Sequence, residues 1–134
     1  MRILIAEDDP QLGDGLLNGL RAAGFVADWA RDGATAEQAL LGGGFDAVVL
    51  DLGLPRIGGA ELLRRLRDAA ASLGYDTLRG ETLAYNDRML ALAARLGFTA
   101  TPDPDDATLQ RLSCPTQVLR RRATPLSFAR FGLR

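Results

Sequence analysis

Two short apolar runs, each followed at once by acidic residues, constrain the fold of this 134-residue chain more than any other feature. The first is Ile3-Leu4-Ile5-Ala6, followed by Glu7-Asp8-Asp9, and the second is Ala47-Val48-Val49-Leu50, followed by Asp51. Continuous apolar runs of this length are typical of strands that are buried on both faces in parallel sheets. Open α/β sheets bind ligands at the carboxyl ends of such strands. We therefore expect these acids to meet at one edge of a sheet.

The acidic residues at the strand ends have two compatible interpretations. Carboxylates held close together repel one another unless a cation lies between them. Mg²⁺ prefers hard oxygen ligands and usually takes one or two carboxylates. The alternative for Glu7-Asp8-Asp9 is that it caps the next helix, because Asp is a good N-cap and Pro10 suits the first helical turn. The pattern predicts a magnesium site and leaves the capping role open.

The rest of the first half alternates between helix and strand patterns. Apolar residues at helical spacing and glycine stops predict three helices, over 11–23, 34–41 and 59–71. Residues 25–30 suit one further strand. The order β-α-β-α-β-α predicts an α/β fold, a doubly wound parallel sheet with right-handed crossovers and helices on both faces. Trp29 lies within the strand pattern and is interpreted as a packing residue.

Composition limits the chemistry and the location. Histidine is absent, and all 16 basic residues are arginine, so histidine-based and lysine-dependent catalysis are excluded. The net charge of −1 favours neither a nucleic acid nor a membrane as partner. Cys114 is the single cysteine, which excludes an internal disulfide and fits a reducing, cytoplasmic location. We expect no signal peptide and no membrane span, because the sequence enters a strand directly and contains no long apolar stretch.

Residues 1 to about 68 resemble the receiver domain of two-component response regulators, in particular those that carry a winged-helix DNA-binding domain. The resemblance lies in three segments: Arg2–Asp9, Asp28–Gly33, and Asp51–Pro55 followed by Gly59. It implies a flavodoxin-like receiver fold. Gly58 departs from the pattern, because close relatives usually have Asp at that position, and this affects the loop more than the chemistry.

The same resemblance implies roles for individual residues. Asp51 would accept a phosphoryl group from a sensor histidine kinase. Glu7 and Asp8 match the acidic pair that positions Mg²⁺, so the implied metal ligands are Glu7, Asp8, Asp51 and the backbone carbonyl of Gly53. Asp9 falls one place after the acidic pair and is assigned to the helix cap.

Residues of about 70–112 resemble a different family, the carboxyl-terminal part of GNAT-type acetyltransferases. The similar segments are 71–83, Asn86, 89–93 and 96–98. In that family the stretch is a strand, a helix opened by Asn, and a Gly-Phe pair leading into the next strand. The family's Gly-rich loop for acetyl-CoA and its amino-terminal strands have no good match here. We therefore do not expect an intact acetyltransferase.

The second half can still complete a receiver-like layout. We expect a strand over 77–83, a helix over 87–96, a strand over 98–101 and a last helix over 107–112, capped by Asp105 or Asp106. A receiver requires Ser or Thr at the end of its fourth strand and Lys at the end of its fifth. Thr82 and Thr101 fall at these places. Thr82 is a speculative phosphoryl contact or a coincidence of spacing, and Thr101 cannot replace a lysine because its hydroxyl is neutral.

The predicted organisation is a receiver-like α/β domain over 1–112 and a basic carboxyl-terminal tail over 113–134. Within the domain, 1–68 is the receiver match, and 69–112 is the acetyltransferase-like segment that completes it or is appended to it. The tail contains Arg120-Arg121-Arg122, Arg130 and Arg134 among Phe128 and Phe131. Basic and aromatic residues together can bind nucleic acid or an anionic surface, whereas a short tail is more often disordered or loosely packed. Because no helix-turn-helix is recognisable, direct DNA binding is not expected.

Two functions follow. In the first, the chain is a response regulator receiver that accepts a phosphoryl group on Asp51, with impaired switching, and acts through a downstream protein partner. In the second, it is a non-signalling hybrid or an acetyltransferase-related fragment that acts as an interaction module. Neither function makes the chain an enzyme beyond its own phosphorylation.

Overall fold

The computed structural model describes residues 1–72 and 74–116, together with the backbone of residues 129–133. In chain order the elements are β1 Arg2–Ala6, α1 Pro10–Ala22, β2 Val26–Ala30, α2 Gly33–Leu41, β3 Ala47–Leu50, α3 Gly59–Ser72, β4 Thr77–Leu83, α4 Asp87–Arg95, β5 Thr99–Pro102, β6 Leu109–Pro115 and β7 Ala129–Leu133. The strands of this part of the chain form one sheet in the order β2-β1-β3-β7-β4-β6-β5.

The first three strands are parallel, as the apolar runs predicted. β1 lies between β2 and β3, and Ala6 is level with both Ala30 and Leu50. The carboxyl ends of the three strands therefore lie at one edge of the sheet. This confirms the predicted α/β alternation over the first half.

The helices begin and end where the capping residues indicate. The Asp9 carboxylate accepts hydrogen bonds from the backbone N–H groups of Gln11 and Leu12, so Asp9 is the N-cap of α1. Asn86 caps α4 in the same way by accepting from the Met89 N–H over 3.1 Å. Within the described residues, no helix is both long and apolar enough to cross a bilayer.

The two faces of the sheet are covered differently. Leu4 and Val48, which are register partners, belong to one buried cluster with Leu62 and Leu63 of α3, so α3 packs on that face. Successive strand residues point to opposite faces. Ile5 is buried on the other face, where its register partner Trp29 packs against α1. The core lies mainly between the sheet and the helices α2, α3 and α4.

The last predicted helix, over 107–112, is wrong, because these residues enter strand β6. Leu112, Cys114 and Thr116 are buried at every second position, which is the period of a strand. Asp106, taken as a possible helix cap, instead accepts hydrogen bonds from the Thr108 N–H and hydroxyl and stabilises a turn. β6 pairs antiparallel with β4 and with β5, so the sheet as a whole is mixed rather than parallel.

Strand β7 corrects the expectation of a loosely packed tail for the residues that it contains. Its backbone pairs parallel with both β3 and β4, with Leu133 level with Leu50 and Gly132 level with Glu81. The physical reason is that β3 and β4 each present an edge whose backbone groups need partners in the sheet interior. The basic and aromatic residues Arg120-Arg121-Arg122, Phe128 and Arg134 lie outside the described residues. The division into domains stays a prediction.

Candidate metal centre

Three carboxylates from two neighbouring strands meet at the carboxyl edge of the sheet. Glu7 and Asp8 follow β1, Asp51 follows β3, and one oxygen of each lies within 4.8 Å of the others. Glu7 is buried, with 3% of its surface exposed, while Asp51 is half-buried and Asp8 is exposed. The structure thus brings together the three acidic side chains that the sequence predicted as metal ligands.

The backbone around Glu7 is fixed by its neighbours in the sheet. The Glu7 N–H donates to the Ala30 carbonyl oxygen over 3.1 Å, which continues the β1–β2 ladder by one residue. The Trp29 indole N–H donates to the Glu7 carbonyl oxygen over 2.8 Å. On the side chain, Glu7 Oε1 accepts a hydrogen bond from the Asp9 N–H. These bonds hold a buried acid at the rim of the site.

The Asp51 backbone is fixed in a similar way. Its N–H donates to the Ala6 carbonyl oxygen over 2.9 Å, which extends the β1–β3 pairing to the acidic residue itself. Asp51 Oδ2 lies 3.6 Å from the position that a Cβ atom would take on Gly53. Gly53 is therefore next to the carboxylate, and the role of its carbonyl as a metal ligand stays a prediction.

The loop that follows Asp51 returns to it at the start of α3. The Gly59 N–H donates to the Leu52 carbonyl oxygen over 3.2 Å. A Cβ atom on Gly59 would be 2.3 Å from the Asp51 carbonyl oxygen, so only glycine permits this approach. The end of the loop over residues 51–59, called the Asp51 loop below, thus contacts the beginning of the same loop.

Asp32, at the start of α2, makes a charged contact with the Asp51 loop. The Thr35 backbone N–H lowers the pKa of the Asp32 carboxyl below its usual value, and the Thr35 hydroxyl and the Arg56 guanidinium act in the same direction. The Arg56 guanidinium lies 3.5 Å from the carboxylate. Asp32 therefore caps α2 and also pairs with the loop.

Thr82 and Thr101 lie away from the acidic residues. Because β7 separates β3 from β4, Thr82 is two strand spacings from Asp51, or roughly 10 Å across the sheet. Thr101 is on β5, which is the edge strand, so three strands stand between it and β3. The structure does not bring either hydroxyl to the site.

The chemistry of the donor set fits a small, hard cation. The three carboxylates offer oxygen ligands alone, which suits Mg²⁺ rather than a metal that prefers sulfur or imidazole. Like charges this close also need a cation to offset their repulsion. The residues present therefore fit the ion that the sequence predicted.

Comparison with known proteins identifies the family. The profile of the response regulator receiver domain family matches residues 3–75, which is more than half of the chain. The chain belongs to this family. The non-phosphorylated HemR receiver domain from Leptospira biflexa shares 31% sequence identity with it, with a TM-score of 0.56 over 72% of this chain and 75% of that one. The chemotaxis response regulator CheY4 of Vibrio cholerae, 20% identical with a TM-score of 0.58, is similar in fold alone.

Curated relatives match the receiver half. The response regulator protein PmrA of Pseudomonas aeruginosa is 55% identical over 67 residues, which are 50% of this chain and 30% of that protein. The transcriptional regulatory protein QseB of Haemophilus influenzae is 51% identical over 67 residues, again 30% of its length. The matched receiver segment thus spans less than a third of these relatives.

Three features of the receiver site were not predicted. Trp29 was interpreted as packing alone, yet its indole N–H holds the Glu7 backbone. Gly33 and Gly59 are both required by close backbone approach to the Asp51 loop. Both glycines lie in the segments that carry the receiver resemblance, but the pattern gave no steric reason for either of them.

Proposed function

We propose that this receiver accepts a phosphoryl group on Asp51 from a sensor histidine kinase, in a Mg²⁺-dependent step of two-component signalling. The observation that carries the proposal is the meeting of Glu7, Asp8 and Asp51 within 4.8 Å at the carboxyl edge of the sheet. Membership of the receiver family supports it. The relatives named above, a response regulator protein and a transcriptional regulatory protein, support a role in signalling.

The residues divide the chemistry between them. Glu7, Asp8, Asp51 and the Gly53 carbonyl would hold Mg²⁺, which supplies charge neutralisation for the anionic phosphoryl group. An Asp51 carboxylate oxygen attacks the phosphorus, a new P–O bond forms, and the bond from phosphorus to the donor breaks, so the donor leaves with its electron pair. The product is an acyl phosphate on Asp51. Glu7 is held in its buried position at the carboxyl edge of the sheet, and the Asp51 loop orients the attacking carboxylate.

We propose further that the response to phosphorylation is weakened. The chain contains no lysine, and β7 stands between Asp51 and the strand that carries Thr82. A neutral hydroxyl two strands away cannot contact the phosphoryl group as a neighbouring residue would. Output would then depend on a protein partner.

The single, buried cysteine supports a reducing compartment such as the cytoplasm.

The experiment is intact-mass measurement after incubation with Mg²⁺ and acetyl phosphate. We expect a gain of one phosphoryl group that hydroxylamine removes, as it does from an acyl phosphate. Asp51→Asn and metal-free samples should show no gain. Asp14→Asn, the same substitution on an exposed acid of α1, should be phosphorylated as the wild type is. No gain in a wild-type sample that circular dichroism shows to be folded would refute the proposal.

The second candidate function is an interaction module without phosphotransfer. The observation behind it is the order of β4, α4 and β5, with Asn86 as the cap of α4, which the acetyltransferase resemblance and a receiver layout both predict. The glycine pair Gly58-Gly59 belongs to the Asp51 loop and so is committed to the receiver site. We expect no acetyl-CoA binding, and isothermal titration with acetyl-CoA tests this directly.

A further inference from the structure

The middle of the Asp51 loop lies against Gly33, the first residue of α2. The Gly33 N–H donates to the Pro55 carbonyl oxygen over 3.1 Å. A Cβ atom on Gly33 would lie 1.8 Å from the Ile57 carbonyl oxygen and 2.6 Å from its carbonyl carbon. The backbone of the loop therefore occupies the space that any side chain at position 33 would need.

The residue between these two contacts is held in an unfavourable conformation. Arg56 has φ = 70°, in the left-handed region that residues with a Cβ atom avoid. Its guanidinium pairs with Asp32, the residue before Gly33, over 3.5 Å. The contact with α2 thus includes a backbone hydrogen bond, a close steric fit and an ion pair, which together support the strained turn.

The two ends of the Asp51 loop are fixed separately. One end is fixed by the Asp51 N–H on the Ala6 carbonyl, and the other by Gly59 packed on the Asp51 carbonyl. Leu54 is buried with 6% of its surface exposed, which anchors the chain just before the turn. Residues 55–57 connect to Asp51 through Leu54 on one side and through the Gly59–Asp51 contact on the other, so their displacement would strain the Asp51 site from both ends.

We propose that Gly33 is a positioning residue for the Asp51 site: by seating residues 55–57 on the start of α2, it sets the placement of Asp51 and the Gly53 carbonyl. The inference rests on the proposed function and deepens it. Gly33 touches neither metal nor phosphoryl group. It acts through the loop, and its role is to hold two ligands of one site at a fixed separation.

The size of the expected effect follows from the geometry. An alanine at position 33 requires the Ile57 carbonyl to retreat from 1.8 Å to a van der Waals contact of about 3.4 Å, a displacement of roughly 1.6 Å. A misplacement of about 1 Å at a reacting group can slow a step by as much as about a hundredfold. We expect Gly33→Ala to slow phosphorylation of Asp51 by at least about tenfold and to weaken Mg²⁺ binding.

The test measures the initial rate of phosphorylation by acetyl phosphate and the Mg²⁺ dissociation constant from Trp29 fluorescence. Gly33→Ala is compared with Gly19→Ala, a glycine of α1 around which nothing lies within 4 Å of the added methyl group. Leu92→Ala, at a buried residue of α4, is the control for a variant that loses stability alone. Both controls should keep the wild-type rate and Mg²⁺ affinity wherever circular dichroism shows them folded.

The outcomes separate this inference from the function it rests on. A wild type that gains no phosphoryl group refutes the proposed function. If the wild type reacts and a folded Gly33→Ala reacts within twofold of the Gly19→Ala rate, the positioning role alone is overturned. The same follows if Leu92→Ala loses as much of the phosphorylation rate as Gly33→Ala does. If Gly33→Ala does not fold, Asp32→Asn tests the contact between α2 and the Asp51 loop instead, because Asn keeps the helix cap and removes the ion pair with Arg56. It should slow the reaction measurably, and an unchanged rate would overturn the inference.

Discussion

The Trp29 indole N–H donates to the Glu7 backbone carbonyl over 2.8 Å, which connects the single tryptophan of the chain to the acidic site. The Arg31 guanidinium carbon lies 4.3 Å from the centroid of the same ring. We therefore expect a change in charge or position at Glu7 to alter the surroundings of the indole. Trp29 fluorescence can then be used to follow the metal site.

We predict that Mg²⁺ changes Trp29 emission with a saturable dependence on its concentration. Fluorescence titration measures this. Asp51→Asn should weaken or abolish the change because one carboxylate ligand is lost, whereas Asp14→Asn on α1 should leave the titration as it is in the wild type. An identical titration curve for Asp51→Asn would place the cation elsewhere.

Thr82 should be replaceable with a gain in stability. Its hydroxyl is buried, with 1% of the residue exposed, and has no hydrogen-bond partner within the described residues. Because Val keeps the branched shape and removes the buried hydroxyl, Thr82→Val should raise the free energy of unfolding by about 1 kcal/mol. Urea denaturation measures this. The matched change Thr101→Val, on an exposed edge strand, should have little effect.

The same Thr82→Val variant tests the sheet order. With β7 between β3 and β4, the Thr82 hydroxyl is too far from Asp51 to contact a phosphoryl group there. Phosphorylation by acetyl phosphate should therefore proceed at the wild-type rate. A rate that falls severalfold in a stable variant would show that Thr82 reaches the site after all.

Two glycines of α1 should respond to alanine in opposite directions. A Cβ atom on Gly13 would be 2.0 Å from the Trp29 ring, so Gly13→Ala should destabilise the domain by about 1–3 kcal/mol through overpacking. Gly15 has nothing within 4 Å of such an atom, and Gly15→Ala should stabilise by about 0.5–1 kcal/mol through helix propensity. Thermal or urea unfolding of the pair measures both, and a stable Gly13→Ala would contradict the packing of Trp29 on α1.

The acidic residue Glu61 should make stability depend on pH in a limited window. Hydrogen bonds from Arg64 and then Arg65 lower the pKa of the Glu61 carboxyl from 4.5 to about 2. A carboxyl whose pKa is lower in the folded state stabilises the fold above about pH 4.5, and the contribution is lost as the pH falls towards 2.

The measurement for Glu61 is urea unfolding of Glu61→Gln and the wild type at pH 6, 4.5 and 3. The variant should be less stable at pH 6, and the difference should shrink steadily towards pH 3. Added salt should also reduce it, because the pairs are exposed. A difference that is independent of pH would show that Glu61 contributes by packing instead.

The first half of the fold could be predicted because each element carries a local signal. The runs 3–6 and 47–50 are too short and too apolar to be surface helices, and Asp9 and Asp32 mark the helix starts by their capping oxygens. The acids after the runs then had to meet at one edge, because the strands are parallel neighbours. The three carboxylates of the site follow from this reasoning.

The second half could be predicted only element by element. β4 and α4 have clear patterns, but the position of a strand within a sheet is decided by pairing between distant segments, which no local pattern records. Asp106 illustrates the limit, because the same carboxylate can cap a helix or close a turn. The alternation of buried and exposed residues from Leu112 to Thr116 shows that this segment is a strand. Thr82 lies on the predicted strand, and its distance from Asp51 favours the second of its two interpretations, a coincidence of spacing.

The insertion of β7 between β3 and β4 has a consequence for how this chain folds. Its pairing with β3 joins residues about 80 positions apart in sequence, so the sheet has a high contact order and closure of a long loop precedes its completion. Without β7, the strand order leaves β2-β1-β3 and β4-β6-β5 as two separate groups of paired strands, each with an edge whose backbone groups lack partners. Folding should therefore be slow in its final step, and the open edges between the two units are where the folding protein is most exposed to aggregation.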